Sequence, residues 1–173
     1  MLCLTALASC SVRPGVRSED WDRGAIDNRT AAREAQVPLP PYPQEADLIE
    51  FFPGYTGSHR YFVDGRHLVV AADGVLRYSV VIKTTGGATN VVYEGLSCKT
   101  YEKRIYAVGQ PGAKWAEAKR SEWEPIRTGR INEYQAILYR RYFCPDRAAV
   151  KDRDAAVRAL RQAQYEYSPP ERM

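Results

Sequence analysis

The sequence predicts an α+β fold: an antiparallel β-meander of four to six strands with one helix packed on a face and a further helix at the C-terminus. Three observations predict it. Residues 67–98 hold three strand-like runs punctuated by Asp73-Gly74 and Gly86-Gly87, dipeptides whose access to positive φ suits hairpin turns. Residues 132–143 repeat Tyr134, Ile137, Leu138 and Tyr142 at helical spacing, an apolar stripe that fits a sheet face. Residues 146–164 are alanine-rich, with Asp152, Arg153, Asp154 and Arg158 at spacings that favour a helix.

A chain of 173 residues accommodates one domain with a proper core. Its 45% hydrophobic and 27% charged content is that of an ordinary globular protein, and it contains no apolar run of membrane-spanning length. The net charge of +4 is spread among acids without a basic stripe, which argues against nucleic acid as a partner.

In chain order, residues 1–10 are apolar and end in Leu7-Ala8-Ser9-Cys10. That tetrapeptide looks like a bacterial lipobox, in which the cysteine sulfur is acylated and the chain is cut before it. The segment is short for an export signal and lacks a basic start, as though the true start lay upstream. Cys10 is therefore the candidate lipidation site, and Ser11 after it resembles an outer-membrane sorting pattern. Residues 11–35 are polar and charged, the composition of a flexible tether. Residues 36–145 form the predicted domain, and residues 146–173 a C-terminal helix with a disordered tail.

The domain begins with Gln36 to Pro43, whose four prolines favour an extended strap laid across the protein's own surface through Val37, Leu39 and Tyr42. Asp47 to Phe52, Tyr61 to Asp64 and Arg104 to Val108 read as strands, and Trp123 to Ile126 as an anchor on the sheet edge. If both meander turns are two-residue loops, Val81 faces Val92, Tyr78 faces Gly95 and Val69 faces Tyr78. One face then carries His67, Val69, Ala71, Leu76, Tyr78, Val80, Ile82, Val91 and Tyr93. The other carries Arg77 and Glu94, near enough for a cross-strand ion pair. In the first helix, Asn132 is the expected N-cap and Gln135 its capping-box partner.

Four cysteines are present, two of them in the first ten residues. Cys98 and Cys144 are the one pair left in the domain, and in an oxidising compartment they are expected to form a disulfide. No CxxC motif or Cys/His cluster points to a metal.

Several separated motifs occur in an order that resembles a known family. They are Ala72-Asp73-Gly74-Val75, Arg77-Tyr78, Gly87-Ala88, Asn90-Val91, Tyr93-Glu94-Gly95, Cys98, Tyr106-Ala107, Trp123, Pro125-Ile126, Asn132 and Tyr142-Phe143-Cys144-Pro145. Together they look like the CNP-one-like domain, named after a cryptic neisserial plasmid protein, over about residues 37–145. The resemblance implies an exported proteobacterial protein or lipoprotein. It brings no catalytic residues with it.

The residues themselves add no catalytic motif. GxSxG, Walker A, GxGxxG and HExxH patterns are absent, and His59 and His67 are the only histidines. No cofactor or catalytic residue is assigned. The expected function is a lipid-anchored, non-enzymatic binding or adaptor module on the periplasmic side of the envelope, held to a membrane through Cys10, with an envelope protein as a candidate partner. Two alternatives stand beside it. One is an envelope hydrolase using Asp64 and Glu94, or the polar groups of Tyr61, Tyr78 and Tyr106. The other is a soluble cytoplasmic interaction protein.

Overall fold

A computed structural model describes residues 37–53, 59–127 and 133–166. Among them, eight strands form a single antiparallel sheet: β1 (Leu48–Phe51), β2 (Arg60–Asp64), β3 (Val69–Val70), β4 (Val75–Lys83), β5 (Thr89–Ser97), β6 (Glu102–Gln110), β7 (Lys114–Glu117) and β8 (Glu124–Pro125). The main path runs β1-β2-β4-β5-β6-β7. β3 pairs with β4 beside β2, and β8 pairs with β6 beside β7. The α+β prediction holds, with more strands than the four to six expected. The extra pieces are short: β7 has four residues and β8 two, too few for alternation to announce a strand.

The meander is where predicted, but its register differs by one residue. Val81 faces Val91, Tyr78 faces Glu94, and Val69 faces Arg77. The cause is the turns. Ala71 N–H donates to Val75 O and Gly74 N–H to Ala71 O, which closes a three-residue loop, Ala72-Asp73-Gly74. Thr84 N–H to Ala88 O and Gly87 N–H to Thr84 O close a second, Thr85-Gly86-Gly87. In both loops the third residue is a glycine in the left-handed region, Gly74 at φ 80° and Gly87 at φ 83°, the geometry of a turn followed by a one-residue bulge. One extra loop residue in each hairpin moves every cross-strand partner, so the predicted face assignments of β3 and β5 are reversed.

The main core lies on the face that carries Ile49, Phe51, Tyr61, Val63, Leu76, Tyr78, Val80 and Leu96. A helix covers it. α1 (Glu133–Ile137) runs straight into a π-helical segment, Leu138–Phe143, whose wider turn is seen in the bond from Cys144 N–H to Tyr139 O. The widening brings Tyr139 and Phe143 into the core beside the predicted Tyr134, Leu138 and Tyr142, while Ile137 is only half-buried. Asn132 lies outside the described residues. Gln135 is not a capping partner, because its side chain points into the sheet.

The C-terminal helix is shorter than predicted. Pro145–Arg147 is a 3-10 turn, and α2 (Arg153–Glu166) follows. It docks against β1 and the π-helical segment through Ala156 and Leu160, both fully buried, and so completes the core.

The second face has a smaller cluster of Phe62, Val81 and Val91, with Tyr42, Leu48 and Trp115 against it. Part of the proline-rich segment lies here: Trp115 Nε1 donates to Pro40 O at 2.9 Å, and the rings of Tyr42 and Trp115 are 5.0 Å apart, whereas Leu39, expected to anchor it, is exposed. Two glycines permit this packing. A Cβ on Gly109 would stand 2.5 Å from the Tyr42 hydroxyl and 2.8 Å from Val91 Cβ, and one on Gly95 would stand 2.7 Å from the Tyr106 hydroxyl. An aromatic ring does lie over Gly95, but it belongs to Tyr106, the residue left over at the bulge in β6, and not to Tyr78. Gly109→Ala is expected to lower stability by about 1–3 kcal/mol through overpacking, read as a lower thermal midpoint. An unchanged midpoint would show that the strap is not held there.

Candidate functional site

The shifted register decides the chemistry of the sheet's centre. It turns Glu94 from the mixed face to the helix-covered one, opposite Tyr78 and fully buried. Three donors converge on its carboxylate. Tyr78 Oη donates to Oε1 at 2.8 Å, Tyr134 Oη to Oε2 at 3.0 Å, and Gln135 Nε2 to Oε2 at 3.2 Å. The sheet supplies the first donor and α1 the other two, so the carboxylate ties the helix to the strands.

Burial pushes the Glu94 carboxyl up from the usual carboxylate range, opposed by the hydrogen bonds from Tyr78, Gln135 and Tyr134 and by the charge of Lys103. Burial and the neighbouring carboxylate also hold the Tyr78 and Tyr134 phenols well above their ordinary value, so both remain donors. Gln135 Oε1 is buried without a hydrogen-bond partner among the described residues. This arrangement can hold or release one proton inside the core.

The other candidates fall elsewhere. Asp64 is fully buried, but strand alternation puts it on the face opposite Glu94, so the two do not form a carboxylate pair. Its oxygens are taken by a turn: Arg66 N–H at 2.9 Å, His67 N–H at 3.3 Å and His67 Nδ1 at 2.8 Å. Tyr61 and Tyr78 lie on the helix-covered face and Tyr106 on the other, so these three are not brought together either. The expected Arg77–Glu94 pair is absent for the same reason of register. Arg77 faces Gly95 and reaches Asp73 at 2.9 Å, within its own hairpin.

Cys98 and Cys144 are joined by a disulfide with Cα atoms 5.4 Å apart. The bond links the end of β5 to the end of the π-helical segment, and Tyr139 Oη donates to Cys98 O at 2.8 Å beside it. Phe143 packs edge-on to Tyr78, so the disulfide pins the helix over the Glu94 centre. Cys10 lies outside the described residues. Among those described, no group of His, Cys, Asp and Glu is arranged to hold a metal, and no helix is long and apolar enough to cross a membrane.

The buried centre was not legible from motif reading. An acid between Tyr93 and Gly95, inside the run from Val91 to Leu96 that is otherwise without charge, is the signal, and it becomes readable only with the correct loop lengths.

Comparison with known proteins gives a consistent result. The model of the CNP1-like family matches residues 27–161. Cryptic neisserial protein 1 of Neisseria gonorrhoeae (strain ATCC 700825 / FA 1090) is 25% identical over 194 aligned residues, covering 98% of this chain and 94% of that protein. No solved structure matches. The family match spans well over half of the chain and takes in the sheet, the disulfide, the Glu94 centre and the first turns of α2, and on that ground the chain belongs to the CNP1-like family.

Proposed function

We propose that the protein is a non-enzymatic binding or adaptor module of the bacterial envelope, displayed on the periplasmic side by lipid on Cys10 through the polar tether of residues 11–35. The observation that carries this reading is the Cys98–Cys144 disulfide. Disulfides persist in oxidising compartments and are rare in cytosolic proteins, so a domain closed by one is suited to the periplasm. The lipobox-like Leu7-Ala8-Ser9-Cys10 supplies a means of anchoring there. A single acyl chain holds a protein only marginally, with a partition constant of about 10⁴ M⁻¹, whereas several chains hold it stably. Triacylation of Cys10 is the device this reading requires.

Fractionation of the native cells tests it. The protein is expected in the membrane fraction, and Cys10→Ala is expected to move it to the soluble periplasmic fraction. Retention of Cys10→Ala in the membrane fraction would remove the anchor. Alkylation of intact cells tests the compartment separately: Cys98 and Cys144 should react only after reduction, and free thiols would return the protein to the cytoplasm.

A further inference from the structure

α2 docks through Ala156 and Leu160, and its outer flank forms one wall of a cleft whose other wall is the start of β1 and the turn after β2. Gly65 allows the close approach, since a Cβ there would lie 2.5 Å from Ile49 Cδ1 and 3.4 Å from Val157 Cγ2. Four arginines line the cleft, Arg66, Arg153, Arg158 and Arg161, against two acids, Asp47 and Asp154.

The charges do not cancel. Arg153 takes Asp154 at 2.8 Å, and Arg66 approaches Asp47 at 3.9 Å. Arg158 and Arg161 are exposed and neither makes a hydrogen bond or a close ion pair among the described residues, although the charge of Arg158 also acts on Asp154. The four arginines thus exceed the two acids by two charges, in a chain whose whole net charge is +4. The end of the helix is not their partner: Asp152 Oδ1 already accepts the Ala155 N–H at 2.8 Å, so any anion here is drawn by side chains.

We propose that this cleft binds a phosphate-type dianion, either on a small phosphorylated molecule or on a lipid headgroup. Guanidinium presents a planar fork of donors that fits two phosphate oxygens at once. A dianion neutralises the excess that a monocarboxylate would only halve. The proposal deepens the binding-module reading by naming a ligand class for it. It does not depend on the anchor, because it is tested on full-length protein carrying Cys10→Ala.

Two titrations test it, one with inorganic pyrophosphate by calorimetry and one by co-sedimentation with phosphatidylcholine vesicles with and without phosphatidic acid. Arg158→Glu/Arg161→Glu should weaken the binding at least about tenfold, the scale of losing charged hydrogen bonds. Both positions are exposed, so folding should be unaffected. The matched control, Lys119→Glu/Arg120→Glu, changes the charge equally on another exposed stretch and should leave binding unchanged. Pyrophosphate binding alone assigns the cleft to small phosphates, and phosphatidic-acid binding alone assigns it to headgroups. Failure to bind either probe, or equal weakening by both double variants, overturns the proposal while leaving the Cys10 fractionation result standing.

Discussion

Full-length protein carrying Cys98→Ala and Cys144→Ala together is expected to lose about 4 kcal/mol of stability, the chain-entropy cost of freeing a closed loop of this size. The two cysteines are 46 positions apart, and the loop between them includes β6, β7, β8, α1 and the π-helical segment. The last two of these lid the core and the strands belong to the sheet beneath it, so the unfolded chain gains its new freedom in a segment the fold needs. A domain of ordinary stability, roughly 5–15 kcal/mol, would keep only part of its margin. With a urea dependence of about 1–3 kcal/mol per molar, the unfolding midpoint should fall by more than about 1 M. Wild-type protein unfolded under reductant should match the variant. A midpoint shift below about 0.3 M would mean that packing of Tyr134, Leu138, Tyr142 and Phe143 holds the helix without the covalent link.

How far the fold was legible follows from the physics of each element. The disulfide followed from counting, because only one pair of cysteines remained in the domain. The strands of the meander followed from alternation and turn residues. Their register did not. Asp73-Gly74 and Gly86-Gly87 serve a two-residue or a three-residue loop equally well as dipeptides, and only the bonds from Ala71 and Thr84 across the loop distinguish them. That single ambiguity moved Glu94 from an expected surface pair with Arg77 to the centre of the core. The π-helical widening was hidden for a related reason: Tyr139 and Phe143 look like the opposite side of an α-helix when counted at 3.6 residues per turn. The docking of α2 was under-read because its buried positions are mostly small. Ala156 contributes little apolar area to a sequence pattern, yet its size is what lets the helix approach β1. The arginines of the cleft were visible only as helix charges, since Arg66 joins them through the fold and not through sequence.

Glu94 should make the protein less stable as the pH rises. Its carboxyl is raised above the usual range in the folded state by burial, whereas in the unfolded chain it titrates normally. Between those two pKa values the folded protein binds the proton that the unfolded chain has released. The linkage slope of unfolding free energy with pH is then negative for this group. Its stabilising contribution is complete below the unfolded value and is lost as pH rises through the folded one. Glu94→Gln removes the titration while keeping the shape, so the wild type should compare more favourably with it at pH 4 than at pH 7. Denaturant midpoints of both proteins across that range measure the difference and cancel the other titrating groups. A constant gap would mean that the three donors balance burial, and a gap that opens in the opposite sense that they outweigh it and hold the carboxylate ionised in the core. Glu94→Ala is the harsher change. It leaves the Tyr78 and Tyr134 hydroxyls and the Gln135 amide without their acceptor, at about 1–3 kcal/mol for each orphaned group, together with a cavity under the helix. Relief of the buried charge offsets part of that at pH 7 and none of it at pH 4, so the loss from Glu94→Ala should be greater in acid. The two substitutions therefore share one sign with pH while differing in size, which separates the proton held at Glu94 from the packing around it.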